Sequence, residues 1–366
     1  MMPKRDTLRN KRIFVGFNSA GSAGIYAFTR VLRRRGYQID FYGIKKTHFD
    51  MPVDFLLEFS ENLLKSFFQR LVYFFKIVTR YDVFHFNFME VFFFYPLNLF
   101  ILKLLGKKIV VTFRGIDVQT DLEFLSKNIY SKISPQKWPK YYRMQFLPGN
   151  LWPNFLKKIR KAIFIWFADK VILTGPFLAG QVTRYDTIIP YARDLREVIN
   201  FPKKESKTGI RILHVPSDPI VKGTAEISKV FKSLAQKYPE HSFEVLPPLP
   251  RQELLERISK ADIIVDQLLI GWYGGQAVEA MVMGKIVMCY LHPLYLGLTS
   301  FSQKIPIINT NYWSLEEDLE SLIKIYPAIK DEFAQKSVSF AKKYHDSRKI
   351  ADEYLTIYRE TYVKHQ

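Results

Sequence analysis

The residues best placed to do chemistry lie between Asp262 and Leu291, where Gly274-Gly275-Gln276 is followed three positions later by Glu279. Ahead of them runs the apolar triplet Ile263 to Val265; behind them come an apolar-faced stretch to Met283, then Gly284 and a second apolar run from Ile286. This order predicts a buried strand, a turn lined by Gly271, Gly274 and Gly275, a short helix over Gln276 to Met283, a glycine stop and a second buried strand. The amino end of a helix has unpaired N–H groups and about half a positive charge, and glycine there lets an anion reach the main chain. A diphosphate is the expected occupant. Glu279, one turn in, is placed to accept hydrogen bonds from sugar hydroxyls of the same ligand, which suggests a nucleoside diphosphate.

The elements that must hold this unit are themselves predicted to be α/β. Lys11 to Phe17 reads as a strand, followed by a small-residue turn through Gly21, Ser22 and Gly24, a helix to Arg35 and a strand from Gln38 to Tyr42. The spacing of Gly16, Gly21 and Gly24 misses the dinucleotide fingerprint. Phe55 to Thr79 predicts one long helix, apolar over more than the stripe a soluble helix buries, with Lys65, Arg70 and Lys76 interleaved. Two readings stay open for it: a core helix with basic stems at its edge, or a surface that enters a headgroup layer. Asp82 to Asn87 is a strand in which His85 has no chemical role. A further strand from Lys107 ends at Arg114-Gly-Ile-Asp117; carboxyl ends of parallel strands gather functional groups, so Arg114 and Asp117 are candidates by position. Arg114 is read either as a ligand for a phosphate or acidic acceptor or as a loop arginine paired with Asp117. Leu122 to Pro153 reads as a long irregular segment, Phe155 to Phe167 as a basic amphipathic helix, and Phe177 to Arg184 as another helix. The polar run Arg193 to Thr208 reads as a linker. Beyond it come strands at Arg211 to Val215 and Ser242 to Leu246, helices near Leu315 to Ile325 and Asp331 to Tyr344, and a last helix over Asp346 to Tyr362.

The chain has 366 residues, 48% of them hydrophobic and 24% charged, enough for two globular cores. Its net charge of +19 is uneven: residues 1–200 carry 32 Lys and Arg against 15 Asp and Glu, residues 201–366 carry 22 against 20. A basic first half implies an anionic partner, phospholipid headgroups or nucleic acid. No nucleic-acid-binding module is recognisable, so nucleic acid is not expected. The single cysteine, Cys289, reads as a small core residue and excludes a disulfide framework, which fits a reducing compartment. No secretory signal or membrane span is predicted: the longest greasy run, Val91 to Leu105, is interrupted by Pro96, Asn98 and Lys103. No Asp-x-Asp motif and no His/Cys cluster at metal spacing is present, so neither metal nor cofactor is expected.

The segment Gly274, Glu279-Ala280-Met281 and Gly284-Lys285-Ile286-Val287 resembles the donor-binding motif of family-4-like glycosyltransferases of the GT-B fold. The motif departs from the family at Gly271, eight positions before Glu279, where the family has an acidic residue close to the transferred sugar. The resemblance implies two Rossmann-like, doubly wound parallel-sheet domains facing a cleft, at residues 1–200 and 208–345, with a carboxyl-terminal helix, 346–366, crossing back to the first. It also implies that Gly21 and Ser22 leave room for acceptor and diphosphate. The family carries an arginine and, five positions on, a lysine that neutralise the diphosphate; Lys222 matches the lysine and Ser217 stands at the arginine's place. The implied donor set is therefore Gly21, Ser22, Ser217, Lys222, Gly274, Gly275, Gln276 and Glu279, with Arg114, Asp117 and Lys222 as catalytic candidates. The implied activity is metal-independent transfer of a sugar from a nucleotide sugar to a hydroxyl of a lipid-linked or cell-surface glycan acceptor, with retention. The basic, aromatic first half adds peripheral attachment to the cytoplasmic face of an anionic membrane. A nucleotide-sugar epimerase, a soluble-acceptor transferase and a non-catalytic polyanion or partner binder of the same fold are the alternatives.

Overall fold

In the computed structural model the described residues are 6–16, 23–44, 53–87, 89, 91–93, 95–115, 151–201, 209–299, 301 and 304–363. Gly21, Ser22 and Asp117, and almost all of the irregular stretch Leu122 to Pro153, lie outside them. The chain divides into two compact units, Met1–Thr120 with Trp152–Ala192 and Ser347–Gln366, and Asp121–Leu151 with Arg193–Asp346.

The first unit is built on a seven-stranded parallel sheet of order β3-β2-β1-β4-β5-β6-β7. Its strands are β1 Arg12–Gly16, β2 Gln38–Gly43, β3 Phe55–Leu56, β4 Val83–Asn87, β5 Lys108–Phe113, β6 Lys170–Leu173 and β7 Thr187–Ile188. Among the described residues the helices that connect them are α1 Ala23–Arg34, α2 Leu63–Val78, α3 Tyr95–Leu104 and α4 Leu151–Phe167. Because strand side chains alternate, the two faces of the sheet bury different sets. One face packs Ile13, Val15, Val83, Val110 and Ile172 against α1 and the carboxyl-terminal helix. On the other, Phe14 lies 5.4 Å from Phe84 and 5.5 Å from Phe92, ring centre to ring centre, and Phe86 lies 5.9 Å from Phe164 of α4. This aromatic layer is fully buried, and each such ring contributes about 2 kcal/mol of transfer free energy.

The second unit holds a five-stranded parallel sheet, β12-β11-β10-β8-β9, with β8 Arg211–His214, β9 Ser242–Val245, β10 Ile263–Val265, β11 Ile286–Cys289 and β12 Ile308–Asn309. Its helices are α5 Leu195–Ile199, α6 Pro219–Lys222, α7 Thr224–Lys237, α8 Arg251–Lys260, α9 Gly275–Val282, α10 Pro293–Leu296 and α11 Leu315–Tyr344. The helix that closes the chain, α12 Ser347–Glu360, belongs to the first unit, where Tyr354 stacks on Phe28 of α1 at 4.0 Å.

Four local expectations give way to the structure. The segment Phe55 to Thr79 is not one helix: β3 pairs with β2, and α2 starts only where the Asn62 side chain accepts the Lys65 N–H at 3.1 Å. The two helices expected around Pro327 are one, because Leu315, Leu319, Leu322 and Ile323 on one side and Phe340 and Ala341 on the other bury a shared face that outweighs one missing hydrogen bond. Phe177 to Arg184 forms only a 3₁₀ turn, Pro176–Gln181. The run read as a linker from Arg193 instead starts with a buried arginine and the capped helix α5. Cys289 and His85 are core residues, as expected. Burial pushes the Cys289 thiol well up and lowers the His85 imidazole to about 3, with Tyr358 and Thr112 hydrogen-bonded to its two nitrogens.

Candidate active site

The unit around Gly274 forms as the pattern requires: β10, a glycine turn, α9 and β11, with β10 and β11 parallel neighbours. Gly274 is the N-cap of α9 in extended conformation and makes no side-chain cap, so the amino end of this helix is built of main chain. Two cations flank it. A Cβ placed on Gly274 would lie 3.4 Å from Lys222 Nζ, and one on Gly275 would lie 2.8 Å from Arg193 Cζ, close enough to push the guanidinium aside. Glycine at 275 is what lets the guanidinium rest on the helix end.

Cations at the positive end of a helix are unfavourable unless something opposes them. Two buried carboxylates do so. Asp266, at the carboxyl end of β10, takes Lys222 Nζ on one oxygen and the Gly274 N–H on the other at 2.8 Å. Glu279, from inside α9, is ion-paired to Arg193, Nε to Oε1 at 2.9 Å, and to Nη1 of Arg251 on α8. Arg251 Nε also meets Glu197 of α5 at 3.1 Å. Burial works against the charge on Arg251, and the carboxylates of Glu279 and Glu197 more than offset it, so its pKa is raised. Lys222 is thus a buried, ion-paired group and not a solvated loop lysine. The Gln276 side-chain amide is half-buried, and its nitrogen meets no hydrogen-bond acceptor among the described residues. Ser217 is exposed on the turn before α6.

The position of the missing family carboxylate has a steric explanation. Gly271 has φ +82°, and a Cβ there would stand 2.7 Å from His292 Cβ and 3.0 Å from a Tyr295 ring carbon. No acidic side chain fits. In the first unit Arg114 follows β5 and donates from Nε to Asn87 Oδ1 at 3.1 Å, at the carboxyl ends of neighbouring strands. Among the described residues no group of three His, Cys, Asp or Glu side chains could hold a metal ion, and no helix is long and apolar enough to cross a membrane.

No protein-family model matches the chain, and no curated protein does. Solved structures do. HepE of Anabaena in complex with UDP superposes with a TM-score of 0.60 at 12% identity, covering 95% of this chain and 99% of that one. Sucrose-phosphate synthase of Thermosynechococcus elongatus gives 0.56 at 16%, over 95% and 98%. WaaG, a glycosyltransferase involved in lipopolysaccharide biosynthesis, gives 0.50 at 14%, over 94% or more of each chain.

The fold is GT-B. The second unit holds the β-α-β that runs from Ile263 to Cys289, and the structure brings Lys222, Gly274, Gly275 and Glu279 of the expected donor set together. Sequence reasoning missed the charged groups that hold these residues. Arg193 was hidden in a polar run, Arg251 in the first turn of an ordinary amphipathic helix, and Asp266 among apolar neighbours at a strand end. The last had a usable signal, since an acid directly after a buried strand needs a partner.

Proposed function

We propose that the protein is a glycosyltransferase that moves a sugar from a nucleoside-diphosphate donor to an acceptor hydroxyl. The observation that carries this reading is the amino end of α9, where Lys222 and Arg193 lie against Gly274 and Gly275. A diphosphate seated there meets main-chain N–H groups, an ammonium and a guanidinium. Its negative charge adds to that of Asp266 and Glu279 in opposing those cations and the helix end. Glu279 serves the ribose hydroxyls, once the arginines that hold it have turned toward phosphate.

In the reaction the acceptor oxygen bonds to the anomeric carbon as the bond from that carbon to the diphosphate oxygen breaks. The departing diphosphate keeps the electron pair and takes up the hydroxyl proton, and Lys222, Arg193 and the helix amides stabilise its charge without a metal. Retention at the anomeric carbon is what the resemblance implies, and with Gly271 in place of the family's acidic residue the diphosphate itself takes the acceptor proton. Arg114, oriented by Asn87, suits an acidic or phosphorylated acceptor, and Asp117, Gly21 and Ser22 complete the proposed set from their places in the motif. The acceptor is an amphiphilic, lipid-linked or cell-surface glycan precursor, met at the cytoplasmic face of a membrane to which the protein attaches peripherally.

A thermal-shift screen against nucleotide sugars tests the donor half of this reading. A true donor at a hundred times its dissociation constant stabilises the protein by about 2.7 kcal/mol; no shift with any nucleotide sugar or nucleoside diphosphate defeats it. Donor that is bound and converted in the absence of every acceptor marks an epimerase instead.

A further inference from the structure

We infer that the outer face of α2, α3 and α4 is the surface by which the protein lies on an anionic lipid bilayer. The inference deepens the proposed membrane attachment, on which it rests, by naming the residues that make it.

Topology puts the three helices in one layer. Strand order in the first unit advances from β3 to β4, from β4 to β5 and from β5 to β6, and right-handed crossovers in a single direction place all the connecting helices on one face. The contacts agree: Phe74 of α2 meets Phe92, just before α3, at 5.5 Å, Leu99 and Leu102 of α3 are buried, and Phe164 of α4 meets Phe86. These are the inward residues, and they already satisfy the sheet. α2 buries only Phe74, Ile77 and Val78 of its sixteen residues.

What remains outside is apolar to an extent that water does not favour. On α2, Leu63 is 87% exposed, Leu64 72% and Phe68 61%; Leu104 of α3 is 74% exposed and Trp166 of α4 78%. Phe75, Phe100 and Phe155 are exposed beside them. A layer of this kind marks an interaction surface.

The charges identify the partner. α2 carries three Lys or Arg, α3 one and α4 four, and none of the three helices has a single Asp or Glu. The longer helices α7, α8 and α11 of the second unit mix signs by contrast, as α11 does with Glu316, Glu317 and Asp318 in its first turn and Lys342 and Lys343 in its last. A second copy of this chain, docked face to face about a two-fold axis, would set cation against cation. A nucleic acid would pair the cations and leave Leu63, Leu64, Val72 and Leu104 in water. A bilayer with anionic headgroups takes both sets: leucines and aromatics below the headgroups, Lys65, Lys76, Lys158 and Arg160 at the phosphates.

The test is co-sedimentation of the full chain with vesicles of phosphatidylcholine, with and without phosphatidylglycerol, at low and high salt. The variants are Leu64→Glu/Phe68→Glu and Trp166→Glu. Wild type is expected to bind phosphatidylglycerol vesicles and to be released by salt. The variants are expected to lose roughly tenfold or more in affinity, with melting temperature and UDP binding unchanged because these side chains are exposed and far in sequence from the donor residues. Wild type left in the supernatant at low salt, or variants that bind as wild type does, would overturn the inference. So would a concentration-dependent dimer in sedimentation velocity that the same substitutions dissolve, since the face would then be covered by a second copy. Vesicle binding without UDP binding leaves this surface standing and defeats the donor reading; UDP binding without vesicle binding does the reverse.

Discussion

Arg193 Nε lies 2.9 Å from Glu279 Oε1, an ion pair that holds a guanidinium against the backbone of Gly275 at the start of α9. The pair joins a residue from the start of the second unit to the one carboxylate inside the helix whose amino end is proposed to take the donor. The same guanidinium is therefore a structural counter-charge and, in the proposed function, a ligand of the diphosphate.

Arg193→Ala is expected to raise the dissociation constant for a nucleoside diphosphate by about tenfold or more, the loss of one charge-assisted contact. Gly275→Ala is expected to do the same without removing any charge, because the new methyl occupies the space of the guanidinium. Isothermal titration with UDP measures both. Wild-type affinity in Gly275→Ala would show that the position of Arg193 is irrelevant to binding.

Glu279→Gln leaves Arg193 and Arg251 facing each other without their common carboxylate, and breaking a buried pair costs about 3–5 kcal/mol. Denaturant unfolding should show that loss, and the double change Glu279→Gln/Arg193→Gln should recover part of it. Additive losses in the double variant would mean that the two side chains do not interact.

Lys222→Met strands Asp266 in the core, and Lys222→Met/Asp266→Asn removes both charges. Stability is expected to fall in the first and return in the second, while donor affinity stays low in both. Recovery of donor affinity along with stability would assign Lys222 a purely structural role.

How much of this was legible from residues alone differs between the parts of the site. The β-α-β at Gly274 announced itself through a turn that only glycine builds and through apolar runs of strand length, so its place in the fold followed from spacing. Asp266, Arg193 and Arg251 could not be placed that way: their partners lie 44, 86 and 28 positions away in sequence, and only tertiary structure pairs charges over such separations. The exposed face of α2 was half legible. Its residue types showed an excess of apolar surface, and only the sheet order showed that the excess points outward.

His214 predicts the pH response of the second unit. Burial lowers its imidazole to about 4, with Nδ1 donating to the Val265 carbonyl and Nε2 accepting from the Thr224 hydroxyl, both at 2.8 Å. Between pH 4 and the unfolded value of about 6.5 the unfolded chain binds the proton and the folded chain does not. Stability is thus full above pH 6.5 and is lost as pH falls toward 4. Thermal melts across that range should slope less steeply in His214→Gln; an unchanged slope would place the titration elsewhere.

The most direct test of the central claim is a crystal of the protein grown with UDP. The account predicts the diphosphate at the amino end of α9, within hydrogen-bonding distance of the Gly275 or Gln276 main chain, with Arg193 and Lys222 turned onto its oxygens and Glu279 on the ribose. A diphosphate bound anywhere else, or a helix end still closed by Arg193 with UDP in excess, would contradict it.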